Sequence, residues 1–316
     1  MQDDSRGAGT PLLFLGGAGR SGSTLLECML AEIDQVTVLG EVNHLWERGV
    51  RNDELCACEQ AFSGCDFWVE VGERAFGGWQ RVDLPRLLRL KDAVDRQRRL
   101  PWTLRRSPGR RFRTTVVEYA EHYRRIYEAA AAVSGARVVV DSSKVAPTAM
   151  ALSHHPDIDL RVLHIVRDAR GVAHSWSKVV ARPETRGAEE MPRMGTMGST
   201  VQWVAHNLAI GGVARRGVPL VRLRYEDLVA EPAGALARSW AALDLPGEGL
   251  VPVTPAGTIE LHGTHSVAGN PMRFRRGTTA LQVDDAWRDR LSTRDRRLVE
   301  AVAWPALHHF GYGRER

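Results

Sequence analysis

Apolar and polar positions along the chain follow two periods that replace one another. The run at 12–15, Leu-Leu-Phe-Leu, is short, continuous and closed by Gly16-Gly17-Ala18-Gly19, the pattern of a strand covered on both faces. Directly after it, Leu25, Leu26, Met29, Leu30 and Ile33 fall at helical spacing, and 36–39 predicts a second strand that closes a βαβ unit. The same reading predicts strands at 137–140, 160–166 and 219–224. It predicts helices at 115–133, just after 140, from about Gly171 and at 201–214. Buried-type strands that alternate with helices predict an α/β fold: a mostly parallel sheet with helices on both faces.

Two stretches break the pattern. Residues 44–113 are less regular, and the span of about 44–130 reads as a helical and irregular elaboration on the core. Residues 181–200, rich in Gly, Pro and charge without an apolar period, predict a mobile loop. No repeat or low-complexity tract occurs, and 316 residues suit one domain spanning 1–316. No basic-then-apolar leader and no membrane-length apolar window stand in the sequence, so a cytoplasmic protein without a membrane partner is expected.

Charge adds one constraint. The chain carries 43 Lys and Arg against 38 Asp and Glu, with only Lys91, Lys144 and Lys178 as lysines. An arginine bias also follows from a GC-rich genome, so the placement of individual cations tells more than their sum. Of the four cysteines, Cys56, Cys58 and Cys65 cluster and Cys28 stands apart. Their spacing matches no common zinc pattern, so a buried or paired structural role is expected and no metal.

The glycines after the first strand let backbone N–H groups converge on an anion at a helix N-terminus, a P-loop-type arrangement. A nucleotide triphosphatase requires a lysine where Ser23 stands, before Thr24, which disfavours ATP. The cation sits instead at Arg20, whose fork suits a phosphate or sulfate.

Arg20-Ser21-Gly22-Ser23-Thr24-Leu25 resembles the 5′-phosphosulfate loop of sulfotransferases that use 3′-phosphoadenosine 5′-phosphosulfate. It is most similar to the tyrosylprotein and stand-alone bacterial branches, because the steroid and phenol enzymes carry lysine at this place. The resemblance implies a donor site made of these six residues. It adds Arg167 and Ser175 at the 3′-phosphate, Tyr225 of Tyr225-Glu226-Asp227-Leu228 at the nucleotide, and Ser266 and Arg273 in a C-terminal donor loop. It implies the donor as co-substrate and adenosine 3′,5′-bisphosphate as product.

In-line, loose sulfuryl transfer needs positioning, a base and cations at the leaving oxygen, and demands no metal. Arg20 and Lys144, of Asp141-Ser142-Ser143-Lys144, are the candidate cations. Glu41 matches the branch's base, although Val42 replaces a second glutamate, and His44 is the rival. Desolvation would raise the pKa of that base. The acceptor is expected to be a hydroxylated small molecule, carbohydrate or phenol, anionic or aromatic, with no nucleic acid involved. Two other readings stay open: a P-loop small-molecule kinase, and a nucleic-acid or acidic-surface binder using the arginines between 96 and 113.

Overall fold

A computed structural model describes residues 9–103, 105, 109–185 and 189–313. Parts of the expected loop at 181–200, the polar N-terminus and Arg106 of the arginine-rich stretch fall outside them. The helices and strands run in the order β1 (Leu12–Gly16), α1 (Ser23–Leu30), β2 (Val36–Val38), α2 (Asp66–Phe76), α3 (Leu84–Val94), α4 (Leu100–Thr103), α5 (Arg110–Ser134), β3 (Val138–Lys144), α6 (Ala146–Leu152) and β4 (Leu160–Val166). They continue as α7 (Ala169–Ser177), α8 (Thr196–Gly211), β5 (Leu220–Arg224), α9 (Tyr225–Ala230), α10 (Pro232–Ala242), β6 (Thr258–Leu261), β7 (Gly277–Ala280), α11 (Trp287–Arg290) and α12 (Thr293–His309).

Five parallel strands form one sheet in the order β2-β3-β1-β4-β5. The fold is α/β, as the pattern predicts, but β1 and β2 do not pair directly, because β3 inserts between them. Side chains along β1 alternate between two cores, as the period of a strand requires. Leu12 and Phe14 join the α5 and α6 side, whereas Leu13 and Leu15 join the α1 and α10 side. Both faces are therefore apolar, which accounts for the continuous hydrophobic runs in the sequence.

The elaboration is mostly helical. Trp46, Phe76, Trp79 and Tyr123 pack edge to face at centroid distances of 6.0–6.1 Å around Trp46 and anchor α2 to α5. In the loop expected at 181–200, an isolated bridge pairs Ala181 with Glu190, and α8 begins at Thr196, five residues before the predicted start. β6 and β7 pair antiparallel, and the segment between them docks on the sheet edge through Val267 N–H to Leu39 O at 3.0 Å. No described helix is long and apolar enough to cross a membrane.

Candidate active site

Every core strand delivers a chemically active side chain at its carboxyl end. Arg20 follows β1, Glu41 follows β2, Lys144 ends β3, Arg167 follows β4 and Tyr225 follows β5. In an open parallel sheet these ends border the crevice where ligands bind. All five residues line one cavity of about 670 Å³.

The loop after β1 is shaped by backbone rather than by side-chain caps. At Gly17, φ is +147° and an added Cβ would lie 2.3 Å from Ile165 O, so the turn beside β4 admits only glycine. At Gly22, which caps α1 in the left-handed region, a Cβ would strike the Tyr225 ring at 2.4 Å. Arg20 itself has φ +67° and Lys144 has φ +70°. Two non-glycine residues held in a sparsely populated region at one cavity mark a site where positioning overrides local preference.

The Arg20 guanidinium lies over Trp176, 5.2 Å from the ring centroid, and its Nη2 is buried without a hydrogen-bond partner among the described residues. The Ser21 hydroxyl is also buried and unpartnered, but Ser21 is not among the residues that line the cavity. Such donors are costly to leave unmade unless a ligand completes them. Burial also lowers the Arg20 pKa, partly offset by Glu41.

Lys144 donates to Glu41 in a half-buried ion pair, and His44 Nε2 lies 3.6 Å from the other Glu41 oxygen. Burial pushes the Glu41 carboxyl up, but Lys144, His44 and Arg48 outweigh it and hold the pKa below the ordinary carboxylate value. This reverses the rise that desolvation alone leads one to expect. Burial depresses the His44 imidazole to about 4, so it is neutral at pH 7.

Arg167 packs over Tyr225 at 4.7 Å and pairs with Asp284 at 3.2 Å. Lys178 reaches the same carboxylate at 3.1 Å. Burial raises the Asp284 pKa, but Arg167 and Lys178 reverse the effect and lower it. Gly22, Ser23, Thr24, Leu25 and Ser175 line the cavity with Arg167 and Tyr225.

Of the expected C-terminal loop residues, Ser266 and Arg273 are not among those that line the cavity. Ser266 is fully buried and donates to Glu27 of α1. Arg273 turns inward, donating to Leu55 O at 3.0 Å, with Glu184 3.9 Å away. The cavity instead receives Asn270, Met272, Arg275, Gln282 and Asp284 from this part of the chain. Sequence reasoning missed these residues, and also Trp176, because no local pattern separates them from a solvated loop.

The sequence pattern of the sulfotransferase family matches residues 11–248. The chain belongs to the sulfotransferase family. It is therefore a transferase whose chemistry is sulfuryl transfer. Among solved structures it is similar to the sulfotransferase domain from the Synechococcus PCC 7002 olefin synthase, at 21% identity and a TM-score of 0.45 over 96% of this chain and 98% of that one. It is also similar to a sulfotransferase from Alicyclobacillus acidocaldarius, at 14% identity and a TM-score of 0.36 over 95% of this chain and 98% of that one. No curated protein sequence matches the chain.

Proposed function

We propose that the enzyme takes its sulfuryl group from 3′-phosphoadenosine 5′-phosphosulfate and passes it to the hydroxyl of a small acceptor. The observation that carries this reading is the convergence of Arg20, Glu41, Lys144, Arg167 and Tyr225, one from each strand end, on a single cavity. The unpartnered Arg20 Nη2, in the cavity beside Ser23 and Thr24, fits an anionic group at the N-terminus of α1. Arg167 and Ser175 then hold a second anion, and Tyr225 offers a ring to the nucleotide between them.

In this reading the acceptor oxygen attacks sulfur as the bond from sulfur to the bridging oxygen breaks. Glu41 takes the acceptor proton, while Arg20 and Lys144 stabilise the charge that gathers on the leaving oxygen. A loose transition state lets the acceptor proton leave late, so a carboxylate of low pKa serves if it is well placed. Lys144, drawn toward the leaving oxygen, would release Glu41 from its ion pair and restore basicity as the site fills. His44, depressed to about 4, serves better as a neutral neighbour than as the base.

The cavity is also lined by Arg48, Met191, His206 and Arg275. This mixture suits a phenolic or anionic hydroxylated acceptor. Incubating the protein with sulfur-labelled donor and a panel of hydroxylated acceptors, and resolving products by mass, tests the reading. A product 80 Da heavier than its acceptor supports it. Labelled phosphate passing from ATP to the same acceptors would overturn it.

A further inference from the structure

Three cysteines that fit no familiar metal-binding spacing meet a histidine two hundred residues away. Cys65 Sγ lies 3.5 Å from Cys58 Sγ, 3.7 Å from Cys56 Sγ and 3.2 Å from His265 Nδ1. Cys56 Sγ is 3.9 Å from the same nitrogen, and all four atoms lie within 4.8 Å of one another. With bonds of about 2.3 Å to sulfur and 2.0–2.1 Å to nitrogen, a tetrahedral zinc ion places thiolates about 3.8 Å apart and sulfur about 3.6 Å from nitrogen. The observed separations scatter around those values.

We propose that Cys56, Cys58, Cys65 and His265 bind one zinc ion, held by three thiolates and a neutral imidazole. Binding displaces one proton from each of the three thiols and leaves the ion at the same oxidation state. Four protein ligands close the coordination sphere, and none of them lines the active-site cavity, so the ion is structural.

The surroundings are built for such a site. Cys56 N–H donates to Gln60 O at 2.9 Å and Glu59 N–H to Cys56 O at 2.8 Å, a tight turn that brings Cys58 back beside Cys56. Glu59 takes φ +72° to close that turn. Cys65 caps the N-terminus of α2, where the helix dipole favours a thiolate. The His265 ring stacks on Phe67 at 4.8 Å and 13°, and its carbonyl accepts from Trp68 Nε1 at 2.7 Å. These contacts fix the ring so that Nδ1 faces the sulfurs, the orienting role that outer partners play at metal sites. A disulfide would use only two of the three thiols and would leave the third and the imidazole converging on nothing.

The ion would tie the elaboration to the loop between β6 and β7. That loop also carries Ala57 N–H to Ser266 O at 3.1 Å and Glu41 N–H to Ala268 O at 3.4 Å. Zinc thus fastens the segment behind Glu41 from outside the cavity. Sequence spacing conceals the site because its fourth ligand comes from the opposite end of the chain.

The full chain, purified in zinc-containing medium without chelator, is expected to carry one zinc per chain by elemental mass spectrometry. Cobalt substitution is expected to give the intense visible absorption of tetrahedral cobalt thiolate. C65S and H265A are expected to reduce bound zinc from about one equivalent to below about a tenth, whereas C28S keeps it. If C65S does not fold, the cobalt spectrum of the unaltered protein decides. Non-reducing alkylation mapping that finds a disulfide among the three cysteines, or three free thiols with no metal, overturns the proposal. None of these readouts depends on donor or acceptor, so failure here leaves the transfer reading standing.

Discussion

At the scale of single residues, Lys144 does two things at once: it pairs with Glu41 and ends β3 in the left-handed region. Because it is the strongest charge lowering the Glu41 pKa, Lys144→Met should raise that pKa and cut the maximal rate by about 10²-fold or more, as loss of one charge-stabilising donor does. In the unaltered enzyme Glu41 stays ionised down through its ordinary pKa of about 4.3. The acid limb of kcat/KM should therefore lie below pH 5 and move upward in Lys144→Met. An acid limb centred above pH 6 in the unaltered enzyme would sink the assignment. Glu41→Gln should lower turnover by about 10²–10⁴-fold while binding of adenosine 3′,5′-bisphosphate changes little, as measured by calorimetry. His44→Asn should keep most activity; the reverse ranking makes His44 the base. Asp284 occupies Arg167 at 3.2 Å, so Asp284→Asn should tighten the bisphosphate several-fold, an effect of about 1 kcal/mol. Weaker binding in that variant would place the second anion elsewhere. Arg20 stood out in the glycine loop after an apolar run, whereas Glu41, Lys144 and Arg167 were picked out by the family resemblance, and all four line the cavity. Asp284 was not, since it sits in a segment without period and acquires meaning only against Arg167.

The elements explain why strand ends were harder to read than strand centres. β3 was expected at 137–140 but continues through Asp141-Ser142-Ser143 to Lys144, four residues whose polarity hides them from any apolar pattern. Burial is tolerated there because each side chain is satisfied. Tyr127 of α5 donates to Asp141 at 2.6 Å, Ser143 N–H donates to its other oxygen at 2.7 Å, and Ser142 donates to Glu27. Ser143 Oγ then accepts from Asn43 N–H at 2.9 Å, which ties the strand end to the segment after Glu41. Tyr127→Phe removes one of these bonds without changing shape and should cost about 1–3 kcal/mol, seen as a lower urea midpoint. Burial lifts the Asp141 pKa to about 6, against bonds from Ser143 and Tyr127 that lower it. The folded state then binds more protons than the unfolded one, so the stability held by protonated Asp141 is lost as pH rises from the ordinary value toward 6. Tyr127→Phe should therefore cost more at pH 8 than at pH 5. An equal loss at both would mean that the hydroxyl does not hold the carboxylate. The long helix α5, by contrast, was plain in sequence over most of its length because its buried apolar stripe repeats from Val116 to Ala131, roughly four turns.

Over the whole molecule, parallel topology was readable from double-sided strands, but strand order was not, since insertion of β3 between β1 and β2 depends on helices that pack far apart in sequence. The same distant packing buries histidines that the sequence leaves looking ordinary. His164 lies inside β4, donates from Nε2 to Asn207 Oδ1 at 2.9 Å, and is pushed by burial to about 4. His44 is shifted the same way, though 39% of its side chain remains exposed and solvent screens the effect. A histidine whose folded pKa falls below its unfolded value of about 6.5 binds fewer protons folded than unfolded, so stability declines as pH falls from 6.5 toward 4. Glu41, held below its ordinary value, adds a further loss in the same direction at lower pH. Between pH 6.5 and 5, His164 alone should remove roughly 1.5 kcal/mol, since the slope reaches 1.36 kcal/mol per unit only below its unfolded pKa, while Asp141 opposes part of this below pH 6. Urea unfolding at pH 7, 6 and 5 should show the midpoint falling, and His164→Gln, which keeps a hydrogen-bonding partner for Asn207, should flatten the fall. A midpoint that stays constant across this range, or a variant with the same slope as the unaltered protein, would show that His164 takes up its proton without leaving the folded state.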